Sequence, residues 1–122
     1  MESGVLTALA KPLKPGESTV VRRGKILPFE TDSAAKVKLT LRLGADYLLG
    51  AEGVGVGIWR SVARRVFAEE ARCRRVVVVG ATDSGKSTLS TYLLNTALSK
   101  GLATGVIDED VGQGDLAPPG CV

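Results

Sequence analysis

The sequence predicts an α/β fold: the start of a P-loop NTPase parallel sheet, preceded by a small β-rich N-terminal domain and incomplete on its C-terminal side. Three observations predict it. The apolar run Val76-Val77-Val78-Val79 leads into Gly80-Ala81-Thr82-Asp83-Ser84-Gly85-Lys86-Ser87, and that loop opens onto Thr88-Leu89-Ser90-Thr91-Tyr92-Leu93-Leu94. This is the strand, glycine loop, Lys-Ser and helix order of a Walker A phosphate loop. A second apolar segment near residues 103–107 ends in Asp108-Glu109-Asp110-Val111-Gly112-Gln113. Finally, period-two alternation early in the chain gives a β-rich N-terminal module.

The order of elements begins loosely. Residues 1–18 carry Lys11-Pro12, Lys14-Pro15 and Gly16 and are assigned little structure. Residues 19–23 and 25–27 form candidate short strands around Gly24, before Pro28. The clearest early strand is 36–43, with Val37, Leu39, Leu41 and Leu43 on one side and Lys38, Thr40 and Arg42 on the other. Residues 47–49 are a further short candidate. Gly53-Val54-Gly55-Val56-Gly57 lacks the G-x-G-x-x-G register of a dinucleotide loop and reads as a connector or a bent edge strand.

From 58 to 72 the pattern turns helical, with Ile58, Val62 and Val66 at four-residue spacing and Phe67 beside them. The valine run then reads as a parallel strand covered on both faces. A helix is predicted over 86–99, with Leu89, Leu93, Leu94 and Ala97 apolar and Gly101 as its stop. A strand over 103–107 completes a right-handed crossover. The expected organisation is 1–57 as the N-terminal module, 58–74 as a connecting helix and 75–122 as a partial P-loop domain.

Composition narrows the function classes. The chain of 122 residues has 16 basic and 13 acidic side chains, a mild surplus that permits a nucleic-acid partner without demanding one. Its distribution is uneven: six arginines, at 60, 64, 65, 72, 74 and 75, face only Glu69 and Glu70 between residues 60 and 75. That excess reads either as a footprint for phosphate backbones or as a solvated helix face. Cys73 and Cys121 are isolated and lack zinc spacing, which fits a reducing intracellular compartment, cytoplasmic or nuclear. No apolar stretch is long enough for a membrane span. Asn95 and Gln113 are the sole side-chain amides, in keeping with a thermophilic source. Histidine is absent, so a general base must be a carboxylate or lie outside the chain.

The phosphate loop supplies the first site. Successive backbone N–H groups of residues 80–88, from Gly80 through Thr88, together with the positive end of the following helix, suit a nucleoside triphosphate. Lys86 places an ammonium against the outer phosphates, and the Ser87 hydroxyl is set to ligate magnesium. Asp83 is better suited to shaping the turn, since a carboxylate facing phosphates repels them. Asp108 and Asp110 share one face if strand geometry continues, and would sit beyond a strand end beside the loop. Either can hold magnesium, directly or through water, or accept a proton from an attacking hydroxyl.

These residues carry a resemblance. Residues 80–89, the run Asp108 to Gln113 and Pro118-Pro119-Gly120 resemble the polyribonucleotide 5′-hydroxyl kinases, the family containing the kinase subunit of the eukaryotic pre-mRNA cleavage factor. Residues 21–29 resemble the N-terminal domain of the archaeal members. The resemblance implies phosphoryl transfer from ATP or GTP, with Mg2+, to the 5′-hydroxyl of RNA or DNA in RNA processing, with RNA-processing proteins as further partners. By motif position it gives Lys86 to the phosphates, Ser87 to the metal, Asp110 to the base role or to the metal through water, and Gln113 to a substrate contact. The family's further strands and arginine-bearing lid would fall after Val122. The chain is therefore expected to be a fragment, inactive and poorly folded alone. A GTPase-like nucleotide-binding regulator and a non-catalytic assembly subunit share the loop and stay open. The MinD-like partitioning class needs a lysine where Ala81 stands.

Overall fold

The computed structural model describes residues 1, 4–21, 25–47, 56–68 and 75–108. Their elements are three short strands, β1 (Leu6–Ala8), β2 (Lys11–Leu13) and β3 (Phe29–Glu30), followed by helices α1 (Val56–Val66) and α2 (Lys86–Ser99). The strands form an antiparallel sheet in the order β2-β1-β3. Leu6 pairs with Leu13, Thr7 with Pro12 and Ala8 with Lys11, while Thr7 and Ala8 also pair with Glu30 and Phe29.

The β1–β2 hairpin overturns the expectation of little structure over residues 1–18. Its two-residue turn, Leu9-Ala10, takes φ of 48° and 63°, a conformation usually given to Asn-Gly. With Leu and Ala there, the turn carries no sequence signal. Pro12 reads as a loop marker, yet it lies on the edge strand opposite Thr7, a non-hydrogen-bonded position of this register, where a missing N–H removes no ladder bond.

Tertiary contacts hold the turn in that conformation. Leu9 and Ala10 pack against a core of Ala63, Tyr92 and Leu93, and the Asn95 side-chain amide donates to the Leu9 carbonyl at 2.9 Å. The hairpin therefore rests on α2, 86 residues away in sequence from Leu9 to Asn95. β3 is tied to α1 by the ion pair between Arg60 and Glu30. That pair, first through its hydrogen bond and then through charge, holds the Arg60 guanidinium above its ordinary pKa, with Tyr92 adding a hydrogen bond.

Several predicted strands are not formed. Residues 19–21 and 25–27 are irregular, as is Tyr47, while residues 22–24 and 48–49 lie outside the described part. Over 36–43 there is an isolated bridge at Lys36, and Val37, Leu39, Leu41 and Leu43 are exposed. Alternation specifies which face a strand would bury, but a strand also needs a ladder partner, and beyond the bridge at Lys36 the described residues form no ladder over 37–43. The same holds for the parallel sheet. Residues 76–79 and 103–107 form no strand among the described residues, and Val77 and Val79 are 82% and 86% exposed. Only Val78 of the valine run packs against the core.

The helices follow the sequence more closely. α1 starts two residues earlier than predicted and presents Val56, Trp59, Val62, Ala63 and Phe67 to the core, leaving Ile58 70% exposed. The large Trp59 ring packs tilted on Tyr92, centroids 6.1 Å apart, and this contact sets the buried face. Residues 69–72 of the predicted helix lie outside the described part. α2 has the predicted bounds. It ends in a Schellman motif: the Leu102 N–H donates to the Ala97 carbonyl at 3.1 Å and Gly101 N–H to Leu98 at 2.9 Å, with Gly101 at φ 73°.

Two stability changes should follow, read by chemical denaturation. Asn95→Ala leaves the Leu9 carbonyl without its donor and should cost about 1–2 kcal/mol. Ala10→Gly relieves a left-handed Ala and should raise stability by about 0.5–1 kcal/mol. An unchanged midpoint in both variants would mean that the strained turn does not bear on the stability of the hairpin.

Candidate phosphate-binding site

The loop between residue 80 and α2 closes on itself. The Ser84 N–H donates to the Ala81 carbonyl at 3.3 Å, a turn across Thr82 and Asp83. Asp83 sits at φ 58°, within the left-handed region that Asp tolerates better than most side chains. Its backbone, like its charge, fits the turn-shaping reading. A Cβ on Gly80 would fall 2.6 Å from the Ser84 hydroxyl and 3.5 Å from the Lys86 side chain, so the loop is drawn tightly over its own first residue.

Gly85 is the N-cap of α2, with φ 83° and ψ 17°. This left-handed step turns the chain from the loop into the helix, and a Cβ there is disfavoured by the backbone itself. No side chain caps the helix and its first turn holds no acid. The leading N–H groups and the positive end of the dipole are thus left for an anion. Leu89 N–H donates to the Gly85 carbonyl at 2.9 Å, closing the first turn.

Lys86 Nζ donates to the Ala81 carbonyl at 2.7 Å. The ammonium is therefore folded back across the loop mouth, held by one neutral acceptor among the described residues that a phosphate oxygen can outbid, because charge-assisted bonds are the stronger. Ser87 is exposed on the first turn of α2, and its carbonyl accepts from the Thr91 hydroxyl at 2.8 Å. Thr88 follows half-buried on the same turn. Residues 80–88 are thus all brought together. Asp108 is half-buried at the end of the described segment, whereas Asp110 and Gln113 lie outside the described residues.

Two features of the site's surroundings carried little signal in the sequence. Tyr92 is buried at the centre of the α1–α2 contact, although the apolar stripe of α2 is legible from its leucines and Ala97 alone. Thr91 and Asn95 line a cleft of about 400 Å³ with Ala8, Leu9, Lys11 and Leu27, placing the N-terminal hairpin beside the helix that leaves the loop. The polar residues Thr91 and Asn95, four apart on one face of α2, are the single hint of that second neighbour.

Comparison with known proteins bears on the same segment. Residues 80–122 match the family described as mRNA cleavage and polyadenylation factor CLP1 P-loop. A polyribonucleotide 5′-hydroxyl-kinase of Thermococcus kodakarensis is 53% identical over 47 residues, which cover 38% of this chain and 13% of the relative. A CLP1 homolog of Arabidopsis thaliana is 46% identical over 68 residues, 49% of this chain and 15% of the relative. The polyribonucleotide 5′-hydroxyl-kinase Clp1 of Bos taurus is 47% identical over 57 residues, 47% of this chain and 13% of the relative. The match with each of these relatives thus spans 13–15% of the relative's length. No solved structure gives a significant match. A tightly closed glycine loop, a left-handed Gly85 and an uncapped helix start thus coincide with the segment, residues 80–122, that is similar to the CLP1 P-loop family and to the polyribonucleotide 5′-hydroxyl-kinases.

Proposed function

We propose that the gene product carrying these residues is a polynucleotide 5′-hydroxyl kinase, transferring the γ-phosphoryl group of ATP or GTP to the 5′ end of RNA, or DNA, in RNA processing. The observation that carries this reading is the loop geometry: an uncapped, acid-free start of α2 with Lys86 poised over it, within the segment that matches the family. In this reading residues 80–88 cradle the triphosphate through backbone N–H groups, and Lys86 exchanges the Ala81 carbonyl for a phosphate oxygen. Ser87, with Asp110 directly or through water, would hold Mg2+. The exposed Ser87 hydroxyl at the helix start is an oxygen ligand of the kind such an ion takes, and the ion would supply neutralisation of phosphate charge.

Asp110, with Asp108 as the adjacent candidate, takes the proton of the attacking 5′-hydroxyl. The new O–P bond forms at the γ-phosphorus while the bond to the β,γ-bridging oxygen breaks, and the nucleoside diphosphate leaves. Gln113 contacts the polynucleotide end. The organisation we propose retains 1–57 as the N-terminal module, 58–74 as the connector and 75–122 as part of the P-loop domain, in a reducing intracellular compartment. A nucleotide-binding assembly subunit without transfer is the second reading, since the Arabidopsis thaliana relative is named a CLP1 homolog without the word kinase.

Transfer of label from γ-labelled ATP to a 5′-hydroxyl oligoribonucleotide tests the proposal, and intact nucleotide binding with no transfer would sink it in favour of the second reading. Lys86→Ala should weaken triphosphate binding by about 10-fold or more, as expected for loss of a charge-assisted bond; calorimetric titration with ATP checks this, and an unchanged affinity would show that Lys86 does not face the phosphates. Asp110→Asn should lower the transfer rate by about 100-fold or more with nucleotide affinity nearly unchanged. Wild-type turnover in that variant would move the base role to Asp108 or to another part of the protein.

A further inference from the structure

A second basic feature lies away from the phosphate loop. Arg60, Arg64 and Phe67, on α1 and at its end, face Tyr92, Thr96 and Lys100 of α2 and its C-cap across an open groove of about 220 Å³. On each side the lining residues are three or four apart, so the groove runs along both helices. Neither helix contains a single acidic residue. Arg60 is engaged by Glu30, whereas Arg64 and Lys100 make no ion pair among the described residues. A solvated helix face usually mixes both signs of charge; here cations from two separate elements converge over half-buried Phe67, with no carboxylate among the described residues of the groove wall.

We propose that this groove holds the phosphodiester backbone of a single-stranded polynucleotide, downstream of the end that enters the phosphate loop. The placement rests on the kinase reading above; the phosphate chemistry of the groove does not. Arg64 and Lys100 contact phosphates, and the Phe67 ring gives a sugar or base an apolar surface. One helix joins the two sites, its N-terminus at the loop and its C-cap at the groove, about 20 Å apart for a helix of this length. A strand of a few nucleotides spans that distance, so long substrates would gain contacts that a dinucleotide cannot make. An acidic protein segment is the competing occupant, and it would use the cations without the aromatic surface.

Binding of a fluorescent, 5′-phosphorylated dodecanucleotide to the gene product tests this without any need for transfer. Arg64→Ala and Lys100→Ala should each weaken binding about 3- to 10-fold at low salt and lower the salt slope by about 0.7. ATP affinity should be unchanged and Arg64→Lys should restore most of the loss. Arg65→Ala, on the same helix but outside the groove, should have little effect. Binding of a dinucleotide should not respond to any of these changes. Unchanged dodecanucleotide affinity in the Arg64→Ala, Lys100→Ala double variant would overturn the proposal, as would an equal loss in Arg65→Ala. Competition by polyglutamate at the same charge concentration as the strand would overturn it in favour of an acidic protein partner. Absence of phosphoryl transfer, with these binding losses intact, would remove the kinase reading and leave the groove.

Discussion

Tyr92 is the contact on which the described structure depends. It is 5% exposed, packed with Ala63 and Leu93, tilted against Trp59, and near enough to Arg60 to help hold that guanidinium charged. It thus links α1, α2 and, through Glu30, the β3 strand in one cluster. Leu9 and Ala10 bring the hairpin onto the same cluster. A helix that begins at a phosphate loop is anchored here by its middle turn, leaving its two ends to chemistry. Removing the ring would leave a void between helices whose other core members are an alanine and a leucine.

The ends of α2 are built in opposite ways, and the difference follows from what each must do. The C-terminal carbonyls are satisfied within the chain by Gly101 and Leu102, so that end is closed. The N-terminal donors have neither a capping side chain nor an acid nearby, so that end is open. Leaving helix donors unsatisfied costs stability unless solvent or a ligand meets them. A left-handed Gly85 and the Lys86 bond to Ala81 keep the open end shaped, and the absence of acid keeps it attractive to anions. The basic groove near the closed end repeats the same electrostatic preference with side chains instead of backbone.

The hairpin shows how long-range contacts override local preference. A Leu-Ala pair has no reason to adopt two successive left-handed conformations in isolation, where each costs about 1–2 kcal/mol. It does so because both residues pack against the core of Ala63, Tyr92 and Leu93, and because Asn95 supplies a donor to the turn carbonyl. Burial and one hydrogen bond of that kind together are large enough to offset the strain. The N-terminal segment and the phosphate-loop helix are thereby coupled at the level of single residues.

The sequence alone determined the helix of the phosphate loop, from Lys86 to Ser99, because a glycine at each end and apolar spacing between them are local signals. It also determined the loop itself and the likeness of residues 80–122 to the CLP1 P-loop family, since both reside in contiguous residues. The helical character of α1 was legible too, but not the face it buries, which Trp59 and Tyr92 decide together. Strands were the least legible. Alternation over 36–43 and the valines of 76–79 describe what a sheet would bury, yet sheet formation rests on a partner that no local pattern specifies. Conversely, β1 and β2 formed without an Asn-Gly turn, because α2 stabilises what the turn residues disfavour. Tertiary structure alone decided the hairpin's seat, the fold-back of Lys86 onto Ala81 and the convergence of Arg64 with Lys100. Each joins residues through space, and none of those distances is written in their order along the chain.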